Sequence, residues 1–311
     1  MSTDQPRPPD RPGPEPGITG VIRRHPLGAF FAWFFTVGQA LAFTPVLIET
    51  GLPAQVFVVA STLVGLLLPT LVITRIVAGR AGVRALWQRA VAVRASLAWY
   101  ALALLGLPLL AVVITAALLG MPADLSPSVL GAALAGNLLL PLLLTFLPNN
   151  CWEEVAWQGF VQDRLQGRHG PVRAALLTAP LFALQHVALT AGNPPVVAAL
   201  MMLMLTVLVF PFRLLTAWIY NRTGSLFLVG LVHGTGNAVA GGSGFQDGFL
   251  ARLYPDQVVA VLAHQLSYVV LALIVVVATR GRLAARTKHS ATRPATARAA
   301  AHPDRPIRSL T

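Results

Sequence analysis

Apolar runs of about twenty residues, the length a helix needs to cross the hydrocarbon core of a bilayer, succeed one another along this chain. They fall at roughly 27–49, 52–74, 99–119, 128–148, 173–191, 196–212, 225–243 and 257–279. The pattern predicts an all-α membrane protein, a bundle of about eight transmembrane helices, because only helices and closed barrels satisfy their backbone groups in lipid. The fourth run continues past Pro148 into a less apolar helix over 151–166. Pro69, Pro108, Pro141 and Pro211 fall inside runs, which membrane helices tolerate where neighbours satisfy the freed carbonyls. With 55% of residues hydrophobic and 11% charged, no water-soluble second domain is visible.

The two ends read differently. Residues 1–26 are rich in proline, which excludes helix, and 280–311 are rich in Ala, Arg, Thr and Pro; both are expected to be disordered tails flanking a bundle over 27–279. A formal net charge of +12 could suggest a nucleic-acid partner, but the arginines lie in tails and connections, where lipid headgroups and topology account for them. With the N-terminus cytoplasmic, the eight-span arrangement puts every Lys and Arg except Arg252 on one side, with Arg213 and Arg222 in a cytoplasmic loop. Both termini are therefore expected to face the cytoplasm. The stretch from Arg75 to Arg94 mixes arginines with Val83, Leu86 and Trp87, as an interfacial amphipathic helix does. The single cysteine, Cys151, excludes an internal disulfide and reads as a small apolar filler.

Against this apolar background three polar clusters stand out. A charged side chain near the bilayer centre costs roughly 3 kcal/mol, so the adjacent Glu153 and Glu154 call for a reason. In C-W-E-E-V-A-W-Q-G, helical spacing sets Glu154 on the face of Gln158 and Glu153 on the face of Trp157, about 100° apart, so the two carboxylates serve different roles. The run L-F-A-L-Q-H-V puts Phe182 and His186 one turn apart, and L-V-H-G-T-G-N-A does the same for His233 and Asn237, with Gly234 and Gly236 thinning that face. Each histidine alone has a plain explanation, a hydrogen bond to a neighbouring backbone carbonyl, and His264 is read that way. Together with the glutamates they suggest peptide-bond chemistry by an activated water.

In their order, E-E-x-x-x-R, F-x-x-x-H and H-x-x-x-N on successive helices, these motifs resemble the type II CAAX prenyl endopeptidases and bacteriocin-processing proteins, the CPBP or Abi family of intramembrane proteases. The resemblance covers about 125–245 and extends to W-Q-G after the glutamates and Y-N-R-T-G-S-L at Tyr220–Leu226. It implies that Glu153 polarises the attacking water beside His186, that His233 and Asn237 stabilise the oxyanion or hold the site, and that Glu154 supports them, with Trp157, Gln158 and Phe182 as lining. It also implies a peptide or lipidated-peptide substrate. The high Ala and Arg content suggests a G- and C-rich bacterial source, where a prenylated CAAX substrate is not the rule, so the location implied is a bacterial cytoplasmic membrane.

The chain departs from the pattern at Gln158, where the family motif has arginine. A glutamine can donate a hydrogen bond but cannot neutralise a carboxylate. Either another cation such as Arg164 or Arg222 substitutes, or one glutamate is protonated, or activity is lost and the chain is a membrane immunity or scaffold protein. His186, His233 and Glu153 are also ligand types suited to Zn²⁺ with an open position, although the H-E-x-x-H spacing is missing. A small transporter is a third class, set below the others because inverted repeats are not apparent.

Overall fold

The computed structural model describes residues 17–241, 248–255 and 258–283, which fold into helices and turns; among the described residues no strand occurs. In chain order the helical rods are α1 (Ile18–Arg24), α2 (Pro26–Leu47), α3 (Ala54–Ala90), α4 (Leu97–Leu119), α5 (Pro127–His169), α6 (Pro171–Leu184), α7 (Pro195–Thr223), α8 (Leu226–Ala240), α9 (Phe249–Leu253) and α10 (Val258–Ala278). Five of these, α2, α3, α4, α5 and α7, are long and apolar enough to cross a membrane. α6, α8 and the stretch Leu262–Ala278 of α10 are apolar but shorter.

Several expectations change at the rod ends. Helix α1 lies within the segment read as disordered; no proline occurs from Gly17 to His25, and Arg23 donates to the Ile76 carbonyl at 3.1 Å, tying α1 to α3. Residues 1–16 and 284–311 of the expected tails lie outside the described residues. The expected interfacial helix is the end of α3, which reaches Ala90 as a second helical segment joined to the first at a kink at Gly79, where φ is 67°. That conformation suits a residue without Cβ and turns the basic stretch out of line with the apolar one. Helix α7 continues through Arg213 to Thr223 instead of stopping at 212, so Arg213 leaves the cytoplasmic tally and enters the bundle.

Wide turns of π type interrupt the long rods, and four have a local cause. The turns Ser61–Leu67, Leu102–Gly106 and Ala133–Leu139 each end two residues before a proline, at Pro69, Pro108 and Pro141, and Phe146–Asn150 contains Pro148. A proline lacks the N–H and its ring pushes on the carbonyl one turn back, and widening the turn relieves both. The turn Trp157–Gln162, directly after the glutamates, has no proline to explain it.

The middle of α5 packs between α3 and α8, and α7 packs between α6 and α10. Contact between α5 and α8 is close: a Cβ on Gly230 would stand 3.0 Å from the Cα of Cys151, which is buried and free, as a filler should be. These crossings bring α3, α5, α6, α7 and α8 around one polar centre.

Candidate active site

The expected separation of the two carboxylates is present. Glu153 and Glu154 are both buried in α5, at 3% and 0% exposure, and they face different neighbours. Oε1 of Glu153 accepts from the Thr62 hydroxyl of α3 at 3.4 Å, and the same hydroxyl donates to Oδ1 of Asn149. Glu154 instead takes Nη1 of Arg213 across both oxygens, at 2.9 and 3.1 Å. His233 of α8 stands between the carboxylates, with Nδ1 3.0 Å from Oε1 of Glu154 and Nε2 3.9 Å from Oε2 of Glu153. The N–H direction at Nδ1 is out of line for a hydrogen bond, so this contact is chiefly electrostatic.

Arg213 is the residue that the sequence reading misplaced. It is fully buried, and its remaining donors are taken by α5: Nε to Oε1 of Gln162 and Nη2 to Oε1 of Gln158, both at 3.0 Å. Glu154, Gln158 and Gln162 recur every four residues. In a regular α-helix such a stripe drifts by about 40° per step, and the wide turn Trp157–Gln162 counters that drift so that all three meet one guanidinium. Phe182 and Phe212 flank it, each ring centroid 5.4 Å from the guanidinium carbon.

Neither cation expected to replace the motif arginine does so. Arg164 lies over the Phe160 ring at 3.7 Å and donates to the Phe160 carbonyl, and Arg222 is in the last turn of α7, nine positions beyond Arg213. The signal for Arg213 was in the sequence: L-L-T-A-W-I-Y after it is as apolar as the run before it, so the span had not ended.

His186 reaches the site from a break rather than a continuous span. Helix α6 stops at Leu184, and His186 precedes a short 3₁₀ turn, Val187–Thr190. Gln39 of α2 satisfies the freed end by donating to the carbonyls of Leu184 and Gln185 at 3.4 and 3.2 Å, and Trp157 Nε1 donates to the Gln185 side chain. His186 is half-buried, its Nδ1 lies 3.2 Å from the Phe182 carbonyl, and it is within electrostatic reach of Glu153 and His233.

Phe182 forms the floor, its ring 5.2 Å from that of His186, 5.7 Å from His233 and 5.7 Å from Trp157. Trp157 is fully buried among Phe30, Phe31 and Phe34 of α2, so it is packing rather than lining. Asn237 stands one turn beyond His233 and is half-buried; no hydrogen bond joins it to the carboxylates among the described residues. His264 does not meet the carbonyl expected for it: its Nδ1 is unpartnered and its ring packs 5.1 Å from Tyr268.

Among the described residues no three His, Cys, Asp or Glu side chains are grouped to hold an ion, Glu153, His186 and His233 included. The Nδ1 of His186 lies against the Phe182 carbonyl, and that of His233 lies 3.0 Å from Glu154. The arrangement suits proton transfer, with a carboxylate and an imidazole facing one small gap.

The family model described as type II CAAX prenyl endopeptidase Rce1-like matches residues 135–239. Over that segment, about a third of its length, the chain is similar to the CAAX-protease family. No curated protein and no solved structure matches it. The matched segment contains both glutamates, His186, Arg213, His233 and Asn237, and the family is one of proteases. Five helices are long and apolar enough to span a bilayer, which supports an integral membrane protein.

Proposed function

We propose that this protein is an intramembrane endopeptidase in which Glu153 activates a water for attack on a peptide carbonyl of a membrane-associated or lipidated peptide. The observation that carries this reading is the gap between Glu153 and His233, where Oε2 and Nε2 stand 3.9 Å apart. A water can hydrogen-bond to both groups at once across that distance, with the Thr62 hydroxyl holding the other oxygen of the carboxylate.

In the reaction Glu153 accepts the water proton as the new C–O bond forms. The oxyanion is met by the Asn237 amide as donor, and the proton then passes to the leaving amine as the C–N bond breaks. Glu154 does not take part in that transfer, because Arg213 occupies both of its oxygens. Arg213 also bears on the alternative of a decayed immunity or scaffold protein, since that reading rested on the charge lacking at Gln158, and Arg213 supplies a charge beside it.

The test uses purified protein in liposomes with fluorogenic peptides, prenylated and unprenylated. Glu153→Ala and His186→Ala are expected to abolish cleavage while inserting normally. Full activity in both variants would refute the assigned roles. Cleavage by neither wild type nor variants across both peptide classes would favour the non-catalytic reading.

A further inference from the structure

We infer that Arg213 is a positioning residue for the catalytic histidine pair, acting through Glu154 to fix the tautomer of His233, and that Gln158 and Arg213 are an exchangeable pair. The catalytic arm of this inference rests on the proposed peptidase reading; the spectroscopic arm does not.

The argument begins with charge. A carboxyl at 0% exposure, in a helix that packs on apolar neighbours, is strongly disfavoured as an ion unless paired and hydrogen-bonded. Arg213 does both, meeting two oxygens of Glu154 with one nitrogen while Gln158 and Gln162 take the other two nitrogens. The guanidinium is thus satisfied on all sides by groups of one helix, and among the described residues its one charged partner is the carboxylate that faces His233. A fork held by three partners has little freedom to rotate, so the Glu154 plane is fixed with it.

The consequence falls on His233. A carboxylate 3.0 Å from Nδ1 is an acceptor and favours the tautomer with the proton on Nδ1. At that separation a small rotation of the ring would bring the N–H into line with the carboxylate. Nε2 then carries its lone pair toward Glu153 and the gap where the water sits. Without Arg213 the buried Glu154 would be neutral, and its O–H would donate to Nδ1. The imidazole proton would move to Nε2 and the nitrogen facing Glu153 would become a donor, so a water there would meet one acceptor and one donor instead of the two acceptors that take its protons and leave its oxygen free to attack.

Exchangeability follows from geometry. Gln158 is one turn beyond Glu154 on the same helix, and its side-chain oxygen is 3.0 Å from Nη2 of Arg213. An arginine at 158 would place its charge where the guanidinium now lies, and a glutamine at 213 would occupy the position of the present partner. Nε2 of Gln158 is buried without a partner, so nothing on that side holds the glutamine in place.

The experiment compares wild type, Arg213→Gln, and the double exchange Gln158→Arg with Arg213→Gln, using full-length protein in lipid nanodiscs labelled with ¹⁵N-histidine. The His233 signals are assigned by their loss in His233→Ala. Wild type is expected to show the Nδ1–H tautomer, Arg213→Gln the Nε2–H tautomer, and the double exchange a return to Nδ1–H. On a cleavable peptide, Arg213→Gln is expected to lose about 100-fold in kcat with KM little changed, and the double exchange to regain at least about tenfold. An unchanged tautomer in Arg213→Gln, or a double exchange that behaves as the single variant, would overturn the inference. Should Arg213→Gln fail to accumulate, the double exchange decides alone: folded protein with Nδ1–H supports the pair, and no recovery refutes it. If the tautomers follow but no peptide is cut, the peptidase reading fails and this inference stands.

Discussion

Nδ1 of His233 stands 3.0 Å from a carboxylate oxygen of Glu154, while Nε2 of the same ring stands 3.9 Å from Glu153. One imidazole therefore separates a carboxylate committed to Arg213 from one whose oxygens face a hydroxyl and the gap. The two adjacent glutamates have different energetics as well as different chemistry.

That difference predicts opposite outcomes for the same substitution. Glu154→Gln leaves Arg213 buried without its counter-charge and is expected to cost about 3–5 kcal/mol of stability, as loss of one partner of a buried pair does. Glu153→Gln removes a carboxylate with no basic partner at hydrogen-bond distance, and is expected to abolish cleavage with a change in stability under about 1 kcal/mol. Thermal unfolding in detergent beside a cleavage assay separates them. Equal stability losses in the two variants would contradict this division.

Much of the bundle was legible because a bilayer imposes a length on any apolar helix, and the starts of α2, α4, α5 and α7 follow from it. The separation of Glu153 from Glu154 was legible too, since it needs only the helical period. What local reading missed was pairing across distance. Arg213 scores as an exit from lipid until Glu154, 59 positions earlier, neutralises it, and a span measured by hydropathy alone stops one residue short. The break before His186 was hidden for a similar reason: the run 173–191 is apolar enough to continue, and the helix ends where Gln39, from another rod, offers donors to its last carbonyls.

Gln39 therefore predicts an effect at a distance from the carboxylates. Gln39→Leu leaves the carbonyls of Leu184 and Gln185 without their side-chain donor and is expected to cost about 1–2 kcal/mol. Because His186 follows directly, the loss should appear as reduced kcat greater than the stability change would account for. A variant with wild-type kcat would show that the break holds His186 without Gln39.

At the basic stretch that ends α3 the opposite result is expected. Arg89 donates to the Tyr220 hydroxyl at 2.8 Å and pairs with Asp163 at 3.3 Å, with the two charged side chains 38% and 41% exposed. Solvent screens such a pair, so Asp163→Asn should change stability by about 1 kcal/mol at most. A larger loss in thermal unfolding would mean that this contact holds α3 to α5 more strongly than its exposure allows.

The last prediction concerns Gly236, which lies between His233 and Asn237 on the face of α8 that bounds the site. A Cβ added there would collide with the hydroxyl of Tyr268 from α10, and would stand 3.1 Å from the carbon that bears it. Both backbones are helical and Tyr268 is buried against Phe212, so neither side has room to withdraw. Gly236→Ala is expected to lower stability by about 1–3 kcal/mol through overpacking. Adding Tyr268→Phe removes the colliding oxygen and should restore part of that loss, although Tyr268→Phe alone gains nothing, since the wild-type helix already accommodates the hydroxyl. A double-mutant cycle on thermal unfolding measures the coupling directly. Additive effects of the two substitutions would mean that α8 and α10 do not meet at this pair.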